Sequence, residues 1–245
     1  MNTQAQETKL NVQPKRFLYI IGGVGAFLVI LSYISQYLRL FPDSINIRFP
    51  FQADLISDFI LEFDFDGRSS IAIYFNVLVL NLAACLAFVI AYLKNLNKDK
   101  HRLSWAALAW IILLFAIDNL ADLSKKFEII VKDKAAGSVA VDMPWILTGT
   151  AILFALFFLF WIQLEGKYKL LFLVSVVMCL GGVVVKGFAG LQDLDALIFV
   201  VYLSIAQALQ YAGSALLSYM LLHYLTATFP NFNVLVDSLV VRKSK

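Results

Sequence analysis

Apolar residues run through this chain in six long blocks separated by polar stretches. The blocks extend from about Phe17 to Tyr37, Ile71 to Tyr92, Leu103 to Leu120, Trp145 to Leu164, Leu170 to Phe188 and Leu197 to about Leu225. A membrane-crossing helix needs about 20 mostly apolar residues, because in lipid its backbone must satisfy its own hydrogen bonds. The third block is short, and the sixth is long enough to tilt or to project beyond the bilayer. The pattern predicts an all-α, polytopic membrane helix bundle with six transmembrane helices, a single membrane domain over residues 1–245.

The polar stretches fill in the rest. Residues 1–16 read as a mobile cytoplasmic N-terminus, 38–70 and 121–144 as outer loops, and 230–245 as a cytoplasmic tail. Within the first outer loop, Leu55, Ile56, Phe59, Ile60 and Phe63 fall at helical spacing and predict an interfacial amphipathic helix over Ala53 to Phe63. The following Glu62 to Asp66 alternates like a strand, which leaves the local assignment open. The first block is too long for the apolar region of a cleavable signal peptide, and Tyr37-Leu38-Arg39 lacks small residues for cleavage.

Composition narrows the class. Of the 245 residues, 61% are hydrophobic and 15% charged, with a mean hydropathy of +0.80. Soluble domains run at about 45–50% apolar and about 25% charged, so a water-soluble globule is excluded, as are disorder and collagen-like repeats. Two cysteines and two histidines leave no disulfide framework and no four-cysteine metal site.

Charge gives the orientation. With the N-terminus inside, the inner segments hold Lys9, Lys15, Arg16, Lys94, Lys98, Lys100, Arg102, Lys167, Lys169, Arg242, Lys243 and Lys245. The first outer loop carries Asp43, Asp54, Asp58, Glu62, Asp64 and Asp66. Lysine and arginine bias sets helix orientation, and here it predicts both termini on the cytoplasmic side. Trp145, Trp161, Tyr37, Tyr74, Tyr92 and Tyr168 sit near expected interfaces, where amphipathic rings collect.

Polar groups inside the spans are the default place to look for function, because each is costly unless paired. Asp118 and Asp122 lie i,i+4 on the third span, at a depth similar to Lys186 on the fifth. They read either as a proton- or ion-handling group or as a structural ion pair at the membrane edge. On the sixth span, Gln207, Gln210, Tyr211 and Ser214 form one stripe, which Asn76 and Asn81 of the second span and Thr148 and Thr150 of the fourth could meet. Such groups line a cavity or join helices by hydrogen bonds; joining is the expectation. Gly22, Gly23, Gly25, Gly181 and Gly182 are expected to allow close helix contact.

His101 and His223 do not suit a haem, Cys85 and Cys179 read as inert, and no catalytic triad, zinc helix or phosphate loop occurs. No catalytic residue, metal or cofactor is assigned. The expected partners are the bilayer and either a second copy or a larger membrane complex, with no nucleic acid.

Three segments taken together resemble a family of bacterial multipass membrane proteins with no established activity. Its outer-loop Phe-Asp-hydrophobic-Asp segment is matched by Phe63-Asp64-Phe65-Asp66-Gly67-Arg68. Its hydrophobic-Asp-Glu end of the third span, followed by His-Glu, is matched by Ala116-Ile117-Asp118-Asn119 and then Phe127-Glu128. Its paired glutamates and glycine in the last span are matched by Gln207, Gln210 and Gly213. Asn119 replaces a glutamate, Glu128 has no adjacent histidine, and two glutamates have become amides. The resemblance implies a multi-pass protein of the bacterial inner membrane whose acid-and-histidine cluster is mostly lost. The readings that remain are a non-enzymatic scaffold or assembly subunit; a small-solute or ion transporter using Asp118, Asp122, Lys186 and the Gln207–Ser214 stripe; and a lipid- or quinone-binding enzyme with a groove at Asn76, Asn81 and Gln207.

Overall fold

The computed structural model describes residues 13–40, 57–60, 62–63, 70–121, 157–158, 160–164, 166–189 and 197–229. Its long elements are α1 (Pro14–Leu40), α2 (Ile71–Leu96), α3 (Arg102–Ala121), α4 (Lys167–Ala189) and α5 (Leu197–Thr228). All five are long and apolar enough to cross a membrane, and no strand occurs among the described residues. That architecture fits a multi-pass membrane protein. The five helices correspond to the first, second, third, fifth and sixth expected spans. Of the expected fourth span, residues 157–158 and 160–163 are helical and Leu164 is buried just beyond them; residues 145–156 and 159 lie outside the described residues. So do Asp122, Thr148, Thr150, Phe127, Glu128, residues 64–69, most of the 121–144 loop and the 230–245 tail.

Local chemistry places the helix ends. Pro14 opens α1, where its missing N–H would be unpaired anyway and its fixed φ suits the first turn. Ser70 caps α2, its hydroxyl accepting from the Ile73 N–H at 3.2 Å. The α2–α3 hairpin turns through Lys98, whose φ of +52° is left-handed. Asp99 closes the turn by accepting the His101 N–H at 2.8 Å and the Lys94 ammonium at 2.5 Å. At about 1.5 Å per residue, the 32 residues of α5 reach about 48 Å, beyond the roughly 30 Å of hydrocarbon.

Helix α5 is the centre of the bundle: α4, α1 and α2 all pack on it, and α3 rests on α2. One apolar cluster joins α2, α3, α4 and α5 through Leu80, Ile90, Leu108, Ile112, Phe172 and Leu221. A second, toward the opposite end of α5, joins Leu28, Ala72, Ala189, Val200 and Leu203. The outward faces stay apolar, with Tyr19, Phe27, Ile30, Leu78, Leu103 and Leu114 exposed, as lipid contact requires. Residues 57–60 and 62–63 of the first loop are helical, in line with the amphipathic reading. The Ser35 hydroxyl of α1 donates to the Ile60 carbonyl there at 3.1 Å.

Among the described residues, the five glycines expected to allow close helix contact divide. A Cβ on Gly22, Gly23 or Gly181 would meet no described atom within 4 Å, and one on Gly25 would reach Tyr211 at an ordinary 3.6 Å. Gly182 is the one of that set whose approach to a described helix leaves no room for a side chain, and Gly213 joins it. A Cβ on Gly182 would lie 2.6 Å from the Ala206 carbonyl oxygen, and one on Gly213 would lie 2.8 Å from the Cys179 nitrogen. These two glycines let α4 and α5 pack backbone against backbone.

Candidate functional site

The sixth-span stripe is buried, with Tyr211 and Ser214 turned toward α2 and Gln210 against Gly182 of α4. Gln207, Gln210, Tyr211 and Ser214 are all buried, as is Asn76 across from them. The Tyr211 hydroxyl donates to the Ala72 carbonyl, and its ring meets Phe75 edge-on at 5.9 Å. One turn on, the Ser214 hydroxyl lies 2.9 Å from Asn76 Oδ1 and donates to it. One turn further, the Ser218 hydroxyl donates to the Val79 carbonyl at 3.2 Å. Three rungs thus run up the α2–α5 contact at helical spacing. Asn81 is half-buried, and the Gln210 carbonyl faces Cys179 Sγ of α4 at 4.0 Å.

Asp118 and Lys186 are each half-buried, and each is engaged by a neighbour. No family model, curated protein or solved structure matches this chain. A cavity of about 20 Å³ lies between Leu80, Ile112, Phe115, Phe157, Val176 and Leu217. It is wholly apolar and far below the roughly 300 Å³ of a typical ligand pocket. Among the described residues, no three His, Cys, Asp or Glu side chains converge.

Two polar groupings lie beyond the sequence-expected set. The first is on α1, where Ser32, Ser35 and Gln36 are completely buried. Among the described residues, the Ser32 hydroxyl and both ends of the Gln36 amide have no hydrogen-bond partner, nor has the Ser204 hydroxyl of α5. Gly25 faces Tyr211, so two turns along these antiparallel helices Ser32 comes level with Ser204. The i, i+3, i+4 spacing of Ser32, Ser35 and Gln36 in an apolar helix was the available signal.

The second grouping gathers where α2 meets α3, α4 begins and α5 ends. Tyr224 is its hub: its ring lies 4.7 Å from Trp105 and 5.1 Å from Tyr168, with the Lys94 ammonium 5.9 Å away. Beside it, His223 holds the Tyr168 hydroxyl 3.2 Å from Nδ1 and the Lys167 ammonium 3.5 Å from Nε2. Residues 168 and 223 share no sequence signal; only the α4–α5 packing brings them together.

Asp99 ties this end to the hairpin. The Lys94 ammonium, then the His101 N–H, hold its carboxyl below the ordinary aspartate value. A carboxyl depressed in the folded state stabilises the fold above its unfolded pKa, and that contribution fades as pH falls through the lower folded value. The protection of the His101 amide, its exchange rate compared with the intrinsic rate at the same pH, is therefore expected to be high at pH 6 and to fall below about pH 3.9, the unperturbed aspartate value. Asp99→Ala should make the protection low at both. Equal protection in wild type and variant would show that the turn does not depend on this carboxylate.

Proposed function

We propose that the chain is a non-enzymatic integral membrane protein, a scaffold or a subunit of a membrane assembly. In this reading it crosses a bacterial inner membrane six times with both termini in the cytoplasm. It stands with the bacterial multipass family that its Phe63–Arg68, Ala116–Asn119 and Gln207–Leu217 segments resemble, as a member that has lost the acid-and-histidine cluster. The observation that carries the proposal is the ladder from α5 to α2. Tyr211, Ser214 and Ser218 direct their hydroxyls into Ala72, Asn76 and Val79, so the most polar stripe of the bundle joins helices. Interhelical bonds of this kind contribute about 1 kcal/mol each within a membrane. Native mass spectrometry of the chain extracted in its own lipid is expected to show a defined oligomer or a co-purifying protein. A bare monomer would overturn the subunit reading.

The Gln36, Ser32 and Ser204 groups, without a hydrogen-bond partner among the described residues, favour a second reading, a transporter or channel for a small solute or ion. Asp118 and Lys186 are its charged candidates. Flux into proteoliposomes that falls with Asp118→Asn would support it, and an unchanged rate would remove Asp118 from the pathway.

A further inference from the structure

The Lys167–His223–Tyr168 cluster takes no part in the α2–α5 ladder, and its donor balance is lopsided. A neutral imidazole has one N–H and one lone pair, whereas an ammonium can only donate. With Lys167 donating to Nε2, Nδ1 carries the hydrogen and donates to the Tyr168 oxygen. Among the described residues, the Tyr168 O–H and two of the three Lys167 N–H bonds then have no acceptor, and all of them are donors. Asp99, the acid described at this end, is already taken by Lys94 and the His101 N–H. Lys98, Lys100 and Arg102 stand on the same hairpin as Asp99, and Lys169 lies two residues beyond Lys167 on α4. Donors with no acceptor among the described residues suit an anion that offers several oxygens.

The surface beside the cluster selects what that anion is attached to. Lys167 is exposed. On the same face of α4, at i+3, i+7 and i+10, stand Leu170, Val174 and Val177, exposed by 66%, 40% and 51%. A charged head and an apolar track about 10 Å long, at 1.5 Å per residue, thus share one helix face. Basic groups at the membrane boundary bind anionic headgroups, and Tyr219, edge-on to His223 at 5.9 Å, walls the cluster with an aromatic ring.

We infer that Lys167, Tyr168 and His223 form a headgroup site for an anionic phospholipid. The phosphodiester oxygens accept from the Lys167 ammonium and the Tyr168 hydroxyl, and an acyl chain lies along Leu170, Val174 and Val177. The site rests on the chain's lying in a bilayer and not on its acting as a scaffold.

The test is native mass spectrometry of the full chain in detergent, titrated with phosphatidylglycerol or with phosphatidylcholine of the same acyl chains. The wild type should hold phosphatidylglycerol several-fold more than phosphatidylcholine. Lys167→Gln, at an exposed position where folding is not at stake, should bring the two lipids to parity, and His223→Gln should weaken the preference. Lys15→Gln with Arg16→Gln removes charge at the start of α1 and should leave the preference intact. Parity in that control as well, or an undiminished preference in Lys167→Gln, would overturn the site. Inorganic phosphate at millimolar concentration should fail to displace the lipid; displacement would mark a free-anion site instead. Lipid adducts are read on each mass peak whatever protein co-purifies, so this outcome is separate from that of the subunit reading.

Discussion

Leucine in place of Gly213 is expected to force α4 and α5 apart and to destabilise the bundle by about 3 kcal/mol or more. Even the first carbon of any side chain would lie 2.6 Å from Cys179 Sγ and 2.8 Å from both the Cys179 nitrogen and the Ser175 oxygen. Two of those three are backbone atoms, which cannot rotate away as the end of a flexible side chain can. Gly182 faces the same constraint from the other helix, against the Ala206 carbonyl and Gln210, so Gly182→Ala should be costly too. Gly23→Ala serves as the contrast: its Cβ meets no atom of the described residues within 4 Å, and alanine favours a helix over glycine by about 1 kcal/mol. Thermal unfolding in one detergent should place the Gly213 and Gly182 variants well below wild type and Gly23→Ala at or above it. Equal midpoints for Gly23→Ala and Gly182→Ala would show that the α4–α5 approach is not close.

Gln36→Leu is expected to raise stability. The side chain is fully buried, and neither its Nε2 nor its Oε1 has a partner among the described residues. A buried polar group left without a hydrogen bond costs about 1–3 kcal/mol, and replacing it by an apolar group of similar shape removes that penalty. Leucine is shorter and more branched than glutamine, so part of the gain is lost to imperfect packing. Unfolding of wild type and variant in the same detergent should therefore differ by about 1 kcal/mol in favour of the variant. A variant less stable than wild type would mean that the amide holds a polar occupant between α1 and α5. That outcome favours the transport reading, and solute flux in the same variant would then be the decisive measurement.

Much of the fold was legible because lipid imposes a simple rule on sequence. Five described helices coincide with expected spans to within a few residues; α2, for instance, was expected over Ile71 to Tyr92 and runs Ile71–Leu96. The polar stripe of α5 was legible too, since Gln207, Gln210, Tyr211 and Ser214 recur at helical spacing. Which helix it faces was not. Asn76 met Ser214 as one of its expected possibilities, whereas Ser218 reaches a backbone carbonyl that no side-chain pattern announces. Ser32, Ser35 and Gln36 carried the same spacing signal on a smaller scale and were not read from it.

The sequence by itself determined that this chain is built of long apolar helices suited to a bilayer, with its basic residues gathered in particular inter-span segments. It could not rank the glycines or assign neighbours. In water an apolar stripe points to the core, but lipid tails are as apolar as leucine, so an apolar pattern carries no inward direction in a membrane. Only the tertiary structure decided that α5 sits at the centre, that Gly182 and Gly213 are the points of closest approach, and that His223 meets Tyr168 and Lys167. Each depends on which helix faces meet, and that choice rests on backbone fit and a few hydrogen bonds between residues far apart in the chain.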